Sequence, residues 1–226
     1  MSYRAAIPNA LTLTNLGAGV VALFCLDIKI ALICMVVGLV ADVFDGAAAR
    51  ALGVSGDFGA ILDSLADLVT FCVVPAVISY HTLYSDNQSP LVIAILVAYV
   101  LMGAYRLARF IVNTEEGTDF QGMPTPASAI AIMGLWIFNL DTTLTAGQLD
   151  VALILFAILG LLNVSKIRML SLKGITKSRV KQIYFAVILL IALLLVWLQP
   201  QMALLLTIIS YLILGIIYGV TQRENY

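Results

Sequence analysis

Apolar residues in this 226-residue chain fall in long, nearly unbroken blocks separated by short polar or glycine-bearing joints. An amphipathic surface helix would instead place them every three or four positions. A helix needs about 20 apolar residues to span the hydrocarbon of a bilayer. On that rule eight helices are expected, over residues 8–27, 29–50, 57–81, 90–113, 124–140, 147–164, 181–198 and 202–221. Asp27 and Lys29 part the first two blocks, and Gly53–Asp57 turns the second into the third. Ser85–Pro90, Asn113–Gly122 and Gln199–Pro200 supply later joints. The fifth block is short and opens at Pro124 or Pro126, residues suited to a helix's first turn. The expected fold is an all-α polytopic helical bundle, one membrane domain over residues 1–226.

Composition agrees with that pattern. The chain is 62% hydrophobic and 11% charged, with a mean hydropathy of +1.06, which excludes a soluble domain. A formal net charge of −1 offers no basic surface for nucleic acid. No cleavable signal is visible ahead of the first apolar block. Cys25, Cys34 and Cys72 lack ligand spacing and read as buried, reduced packing residues. His81, at the end of the third block, reads as a polar cap near the membrane surface. With eight spans both termini share a side, and eleven of the 12 basic residues fall there, leaving only Lys29 opposite. That bias places the termini in the cytoplasm and the protein in the cytoplasmic membrane.

Four carboxylates interrupt the second and third blocks: Asp42, Asp45, Asp63 and Asp67. Each costs roughly 2.5–3.5 kcal/mol at bilayer depth, about 10 kcal/mol together, unless cations or protons accompany them. Asp42, Asp45 and Ala49 share one helical face; Gly59, Asp63 and Asp67 share another. The short joint between the helices makes them antiparallel neighbours, so the two acidic stripes can oppose each other. An all-oxygen donor set favours Mg²⁺ or Mn²⁺ over zinc, and four carboxylates can serve two ions of the kind that clamp the oxygens of a phosphoryl transfer. Gly46, Ala49 and Gly59 leave room for a ligand, or for close helix contact. Arg50 can pair with a phosphate or anchor the helix at the membrane boundary. The run Val164–Lys181 holds Lys166 and Arg168 and suits anionic headgroups or a phosphate gate.

The string DVFDGAAARALGVSGDFGAILDSLAD, read as D-x2-D-G-x2-A-R-x8-G-x3-D-x3-D, resembles the signature of the CDP-alcohol phosphotransferase family at every fixed position. The resemblance implies six core transmembrane helices within residues 8–175 and a homodimer; it fades over the two additional apolar helices expected at 181–221. It implies divalent-metal ligation by Asp42, Asp45, Asp63 and Asp67, with Asp67 also the general base. It implies a nucleotide and diphosphate site at Gly46, Ala49, Arg50 and Gly59. Asn9, Thr12 and Asn15 are weaker candidates for the same site, since polar residues opening a helix also serve as caps or interhelical bonds.

Further segments are similar to the serine-using branch of that family: Ile7–Gly19, Phe58–Phe71, Tyr105–Phe110, Phe120–Ala129 and Val164–Lys173. Cys72 departs from a glycine common there. The resemblance implies CDP-diacylglycerol as donor, L-serine as acceptor, and phosphatidylserine and CMP as products. Direct displacement is expected because no nucleophile suited to a phosphatidyl-enzyme stands out, and the Lys and Arg bias turns the site to the cytoplasm. Arg106 and Arg109, then Lys166 and Arg168, are candidates for the serine carboxylate; positive-inside anchoring explains the arginines equally well. Rival readings are a sister enzyme using glycerol 3-phosphate, inositol phosphate or an archaeal ether lipid, and a divalent-cation transporter.

Overall fold

A computed structural model of the chain describes residues 3–54, 56–85, 89–112, 122–141 and 144–166. Within them the backbone forms six helices: α1 Tyr3–Cys25, α2 Ile28–Leu52, α3 Asp57–Leu83, α4 Pro90–Val112, α5 Thr125–Asp141 and α6 Ala146–Val164. These match the first six expected blocks. The expected helices at 181–198 and 202–221 lie outside the described residues, as does Arg168.

All but α5 are long and apolar enough to cross a membrane. The protein is a multi-pass membrane protein. The α3 span is 56% buried inside the bundle, against 28–33% for the other four, so α3 is the central helix. The outer helices turn large apolar side chains outward, among them Phe24, Ile33, Val43, Leu101 and Leu161. Such a surface suits lipid and not water. Although short, α5 contributes a continuous buried run from Ala131 to Trp136.

Local chemistry fixes the helix ends. Asp27 caps α2, its Oδ1 accepting from the Lys29 and Ile30 amides at 2.9 Å each. Gly53 ends α2 in the left-handed conformation, φ 63°, which favours glycine. Thr145 and Gln148 form a capping box at the start of α6. The first helix starts five residues earlier than expected and carries Pro8 inside it. Pro8 lies in the second turn, where it removes the bond to the Arg4 carbonyl and crowds that oxygen, a cost limited by its nearness to the helix end. A second correction concerns Cys25, which is exposed at the end of α1, whereas Cys34 and Cys72 are buried. The reason is position: Cys25 sits beyond the packed face that ends at Ala22. His81 is exposed at the end of α3, with its ring edge-on to Tyr80.

Two contacts tie the helices together away from the carboxylates. Trp136 Nε1 in α5 donates to Ser79 Oγ in α3 at 2.8 Å. Just past α3, the Tyr84 hydroxyl donates to the Leu149 carbonyl at 2.8 Å. Burial, with Asp150 nearby, pushes that phenol up to about 12, so it remains a donor at neutral pH.

Part of α3 is not α-helical. Leu68–Val73 forms a π-helical turn in which the Val74 amide bonds the Val69 carbonyl, five residues back. Pro75 explains it. In a regular α-helix residue 75 would donate to the Phe71 carbonyl; proline has no N–H and its ring crowds that oxygen. The backbone widens by one residue and relieves the clash. The Tyr99 hydroxyl of α4 takes the Phe71 carbonyl instead, at 3.0 Å.

Candidate active site

The carboxylates meet at the end of the bundle formed by the start of α1, the end of α2 and the start of α3. Asp42, Asp63 and Asp67 each bring a carboxylate oxygen within 4.8 Å of the others. Asp67 is 7% exposed and Asp45 5%. Asp45 stands apart from the group of three. One turn along α2, its Oδ2 accepts from Thr12 Oγ1 at 2.5 Å. The Thr12 oxygen also lies 3.1 Å from the Pro8 carbonyl, but a hydroxyl has one proton, and the charged, nearer acceptor takes it.

A cavity of about 190 Å³ adjoins the cluster, lined on the α1 side by Asn9 and Thr12, on the α2 side by Asp45, Gly46, Ala49 and Arg50, and on the α3 side by Gly59 and Asp63. Six of the seven residues expected at a nucleotide or diphosphate site therefore share one wall-to-wall space. Pro8, Val54, Gly56 and Ala60 complete its lining. A Cβ at position 46 would lie 3.2 Å from Arg50 Nη1, so the glycine leaves the guanidinium room to fold back over α2.

The seventh, Asn15, lies deeper. It is fully buried, and its Nδ2 donates to Asp67 Oδ1 at 3.2 Å. Its own backbone carbonyl accepts from Thr70 Oγ1 at 3.0 Å. Gly38 makes this possible, since a Cβ there would sit 2.7 Å from Asn15 Oδ1 and 2.8 Å from Thr70 Cγ2. Asn15 thus joins α1 to the start and middle of α3 through two polar contacts.

The two arginines of α4 part company. Arg106 is buried and donates to Thr125 Oγ1 at 3.0 Å; it lies close enough to act electrostatically on Asp42 and Asp67. Arg109 points to the end of α6, donating to the Val164 carbonyl at 3.0 Å and the Ser165 carbonyl at 3.2 Å. Those are the carbonyls a helix C-terminus leaves without intrahelical donors. Gly122, with φ 82°, packs against the Asn163 and Ser165 carbonyls and the Arg109 guanidinium. Lys166 is exposed beyond α6. Thr125 was not singled out in the sequence; its place in FQGMPTPASA, a segment similar to the serine-using branch, was the available signal.

The donor set fits a hard divalent cation. Asp63 Oδ1 is buried without a hydrogen-bond partner, a costly arrangement for a carboxylate unless a cation meets it. Oxygen ligands from three carboxylates, and no histidine or cysteine among them, match Mg²⁺ or Mn²⁺ better than zinc.

Membrane-spanning helices that place three converging carboxylates beside an open cavity at one end are a setting for metal-assisted chemistry inside a membrane. The chain belongs to the CDP-alcohol phosphatidyltransferase family, whose sequence profile matches residues 5–158. It is 32% identical over 216 residues to the CDP-diacylglycerol–serine O-phosphatidyltransferase of Helicobacter pylori, covering 93% of this chain and 89% of that one. The protein of the same description from Methanocaldococcus jannaschii is 34% identical over 128 residues, 57% of this chain and 59% of that one. An archaetidylserine synthase from Methanothermobacter thermautotrophicus is 31% identical over 153 residues, 65% and 64% of the two chains.

Proposed function

We propose that this protein transfers the phosphatidyl group of CDP-diacylglycerol to the hydroxyl of L-serine, releasing CMP. The observation that supports this most is that the three converging carboxylates lie near two different sets of residues. One is the open cavity lined by Asn9, Thr12, Gly46, Ala49, Arg50 and Gly59. The other is Arg106, which acts electrostatically on Asp42 and Asp67 and is bonded to Thr125, chemistry suited to a small carboxylate-bearing acceptor. Relatives described as serine transferases supply the acceptor's identity.

In this reading Asp42, Asp63 and Asp67 hold a divalent cation, Mg²⁺ or Mn²⁺. Asp63, which faces both the cluster and the cavity, is the shared ligand if a second ion is held with Asp45. A bound cation supplies neutralisation of the diphosphate and polarises its phosphorus. Arg50 and the small residues around it seat the diphosphate, with Asn9 and Thr12 toward the nucleotide. Arg106 orients the serine carboxylate. Asp67 accepts the serine hydroxyl proton while the new P–O bond forms and the bond to CMP breaks, in a single displacement. Asn15 holds the Asp67 carboxylate in place. Arg109 keeps the end of α6 against α4 and does not bind the acceptor. The site faces the cytoplasm, where serine enters and CMP leaves, and the protein acts as a homodimer in the cytoplasmic membrane.

Purified protein should release CMP from CDP-diacylglycerol with added metal and L-serine, and not with glycerol 3-phosphate or inositol phosphate. Release with another acceptor alone would overturn the serine assignment; metal uptake into vesicles without CMP release would favour a transporter. An ether-linked donor belongs in the same assay, because one relative is an archaetidylserine synthase. Asp67→Asn should abolish turnover while leaving CDP-diacylglycerol binding measurable.

A further inference from the structure

The π-helical turn lies immediately after Asp67, and its consequences reach the carboxylates. One extra residue in a helix rotates everything before it by about 100° relative to everything after it. Beyond the turn, α3 is pinned by the bond from Trp136 Nε1 to Ser79 Oγ and by the buried side chains of Val74, Ala76 and Ile78. Before the turn lie Asp63 and Asp67. With the later half fixed, the presence of the extra residue decides which face of the earlier half meets α2. A regular helix would swing Asp63 and Asp67 away from Asp42.

Two residues hold the turn open. Pro75 denies the Phe71 carbonyl its usual donor, and Tyr99 supplies another at 3.0 Å. Tyr99 is 1% exposed and wedged edge-on against Phe156, with ring centroids 5.3 Å apart. Its hydroxyl is therefore brought to Phe71 by packing that does not depend on the bond itself. Without that hydroxyl the carbonyl would lose the donor that stands in for the missing N–H of residue 75, and the widened turn would lose that compensation.

We propose that Tyr99 is a positioning residue for the carboxylate cluster: its hydroxyl, paired with the Phe71 carbonyl that Pro75 leaves open, sets the rotation of α3 that brings Asp67 beside Asp42 and Asp63. This rests on reading the three aspartates as the metal-holding group. Tyr99→Phe keeps the ring and its packing on Phe156 and removes only the hydroxyl. Pro75→Ala returns an N–H to position 75, so the segment can close into an ordinary α-helix.

The test is Mn²⁺ binding to the detergent-purified, substrate-free protein, read from loss of the free-ion EPR signal, alongside steady-state kinetics. For Tyr99→Phe the expected result is a Kd for Mn²⁺ raised at least tenfold. At saturating Mn²⁺, kcat should fall at least tenfold with KM for L-serine within twofold. Pro75→Ala should show the same defect, and adding Tyr99→Phe to it should change neither quantity more than twofold, because both act on one carbonyl. Wild-type Kd and kcat in a folded Tyr99→Phe would overturn the proposal, as would additive effects in the double variant. If Tyr99→Phe does not fold, Pro75→Ala decides alone: a metal defect supports the proposal and wild-type binding overturns it. A wild-type protein that binds no Mn²⁺ would remove the metal reading itself, a different result from equal binding by wild type and variant.

Discussion

Replacing Arg109 with glutamine separates a structural arginine from an acceptor-binding one. In the structure its guanidinium donates to the carbonyls of Val164 and Ser165, at 3.0 and 3.2 Å. Hydrogen bonds to a charged donor contribute about 1.5–3 kcal/mol each when buried. Arg109 is only partly buried and water can replace some of what it provides, so about 2 kcal/mol is the expected loss for the pair. In a chain of 226 residues, each kcal/mol moves the midpoint of thermal unfolding by about 2–4 °C, so the variant should melt about 4–8 °C lower. The assay is thermal unfolding in detergent by intrinsic fluorescence, paired with CMP release at varied L-serine. At a temperature where the variant is folded, KM for serine should stay within twofold of wild type. Arg106→Gln should do the reverse, raising that KM tenfold or more. An Arg109→Gln variant with an unchanged melting point and a tenfold higher KM for serine would refute the division of labour drawn between the two residues.

Other consequences can be checked with single variants. Gly103→Ala places a Cβ on Cys72, whose Cβ would then lie at 3.3 Å; overpacking of this kind costs about 1–3 kcal/mol, and Cys72→Gly in the same chain should restore the melting point. Thr12→Val removes the donor to Asp45 at nearly constant volume, and loss of a charge-assisted bond of about 1.5–3 kcal/mol should lower kcat/KM for CDP-diacylglycerol about tenfold or more. Unchanged kinetics would mean that the bond from Thr12 to Asp45 contributes nothing to use of the donor. Chelation with EDTA should abolish CMP release, and Mg²⁺ or Mn²⁺ but not Zn²⁺ should restore it; activity that survives exhaustive chelation would remove the metal from the mechanism.

Much of this architecture was legible in the residues because a membrane span is a demand on length and polarity. Uninterrupted apolar blocks of about 20 residues located the six described helices, and punctuation such as Asp27 and Gly53 located their ends. The acidic face was legible for the same reason: carboxylates have no cheap place at that depth. What escaped depends on contacts distant in sequence. Arg106 and Arg109 stand three apart on one helix, and their spacing says nothing of Thr125 or the Val164 carbonyl, which decide their roles. Asp45 and Asp42 share a face of α2, yet Thr12 on another helix draws one of them out of the cluster. Pro75 was visible in the middle of an apolar run, but its effect is a widened turn completed by Tyr99, more than twenty residues away in sequence.

The short joint around Gly53 also bears on how such a protein can diversify. Every residue of the carboxylate cluster comes from one continuous stretch, Asp42 to Asp67, whereas Arg106 and Thr125 come from two later helices. On the proposed function, the acceptor side of α4 and α5 can change while the hairpin is inherited intact, provided the residues of α4 that hold α3 in place, Tyr99 above all, are kept. A lineage of enzymes could exchange one alcohol for another without ever passing through a form that had lost its chemistry.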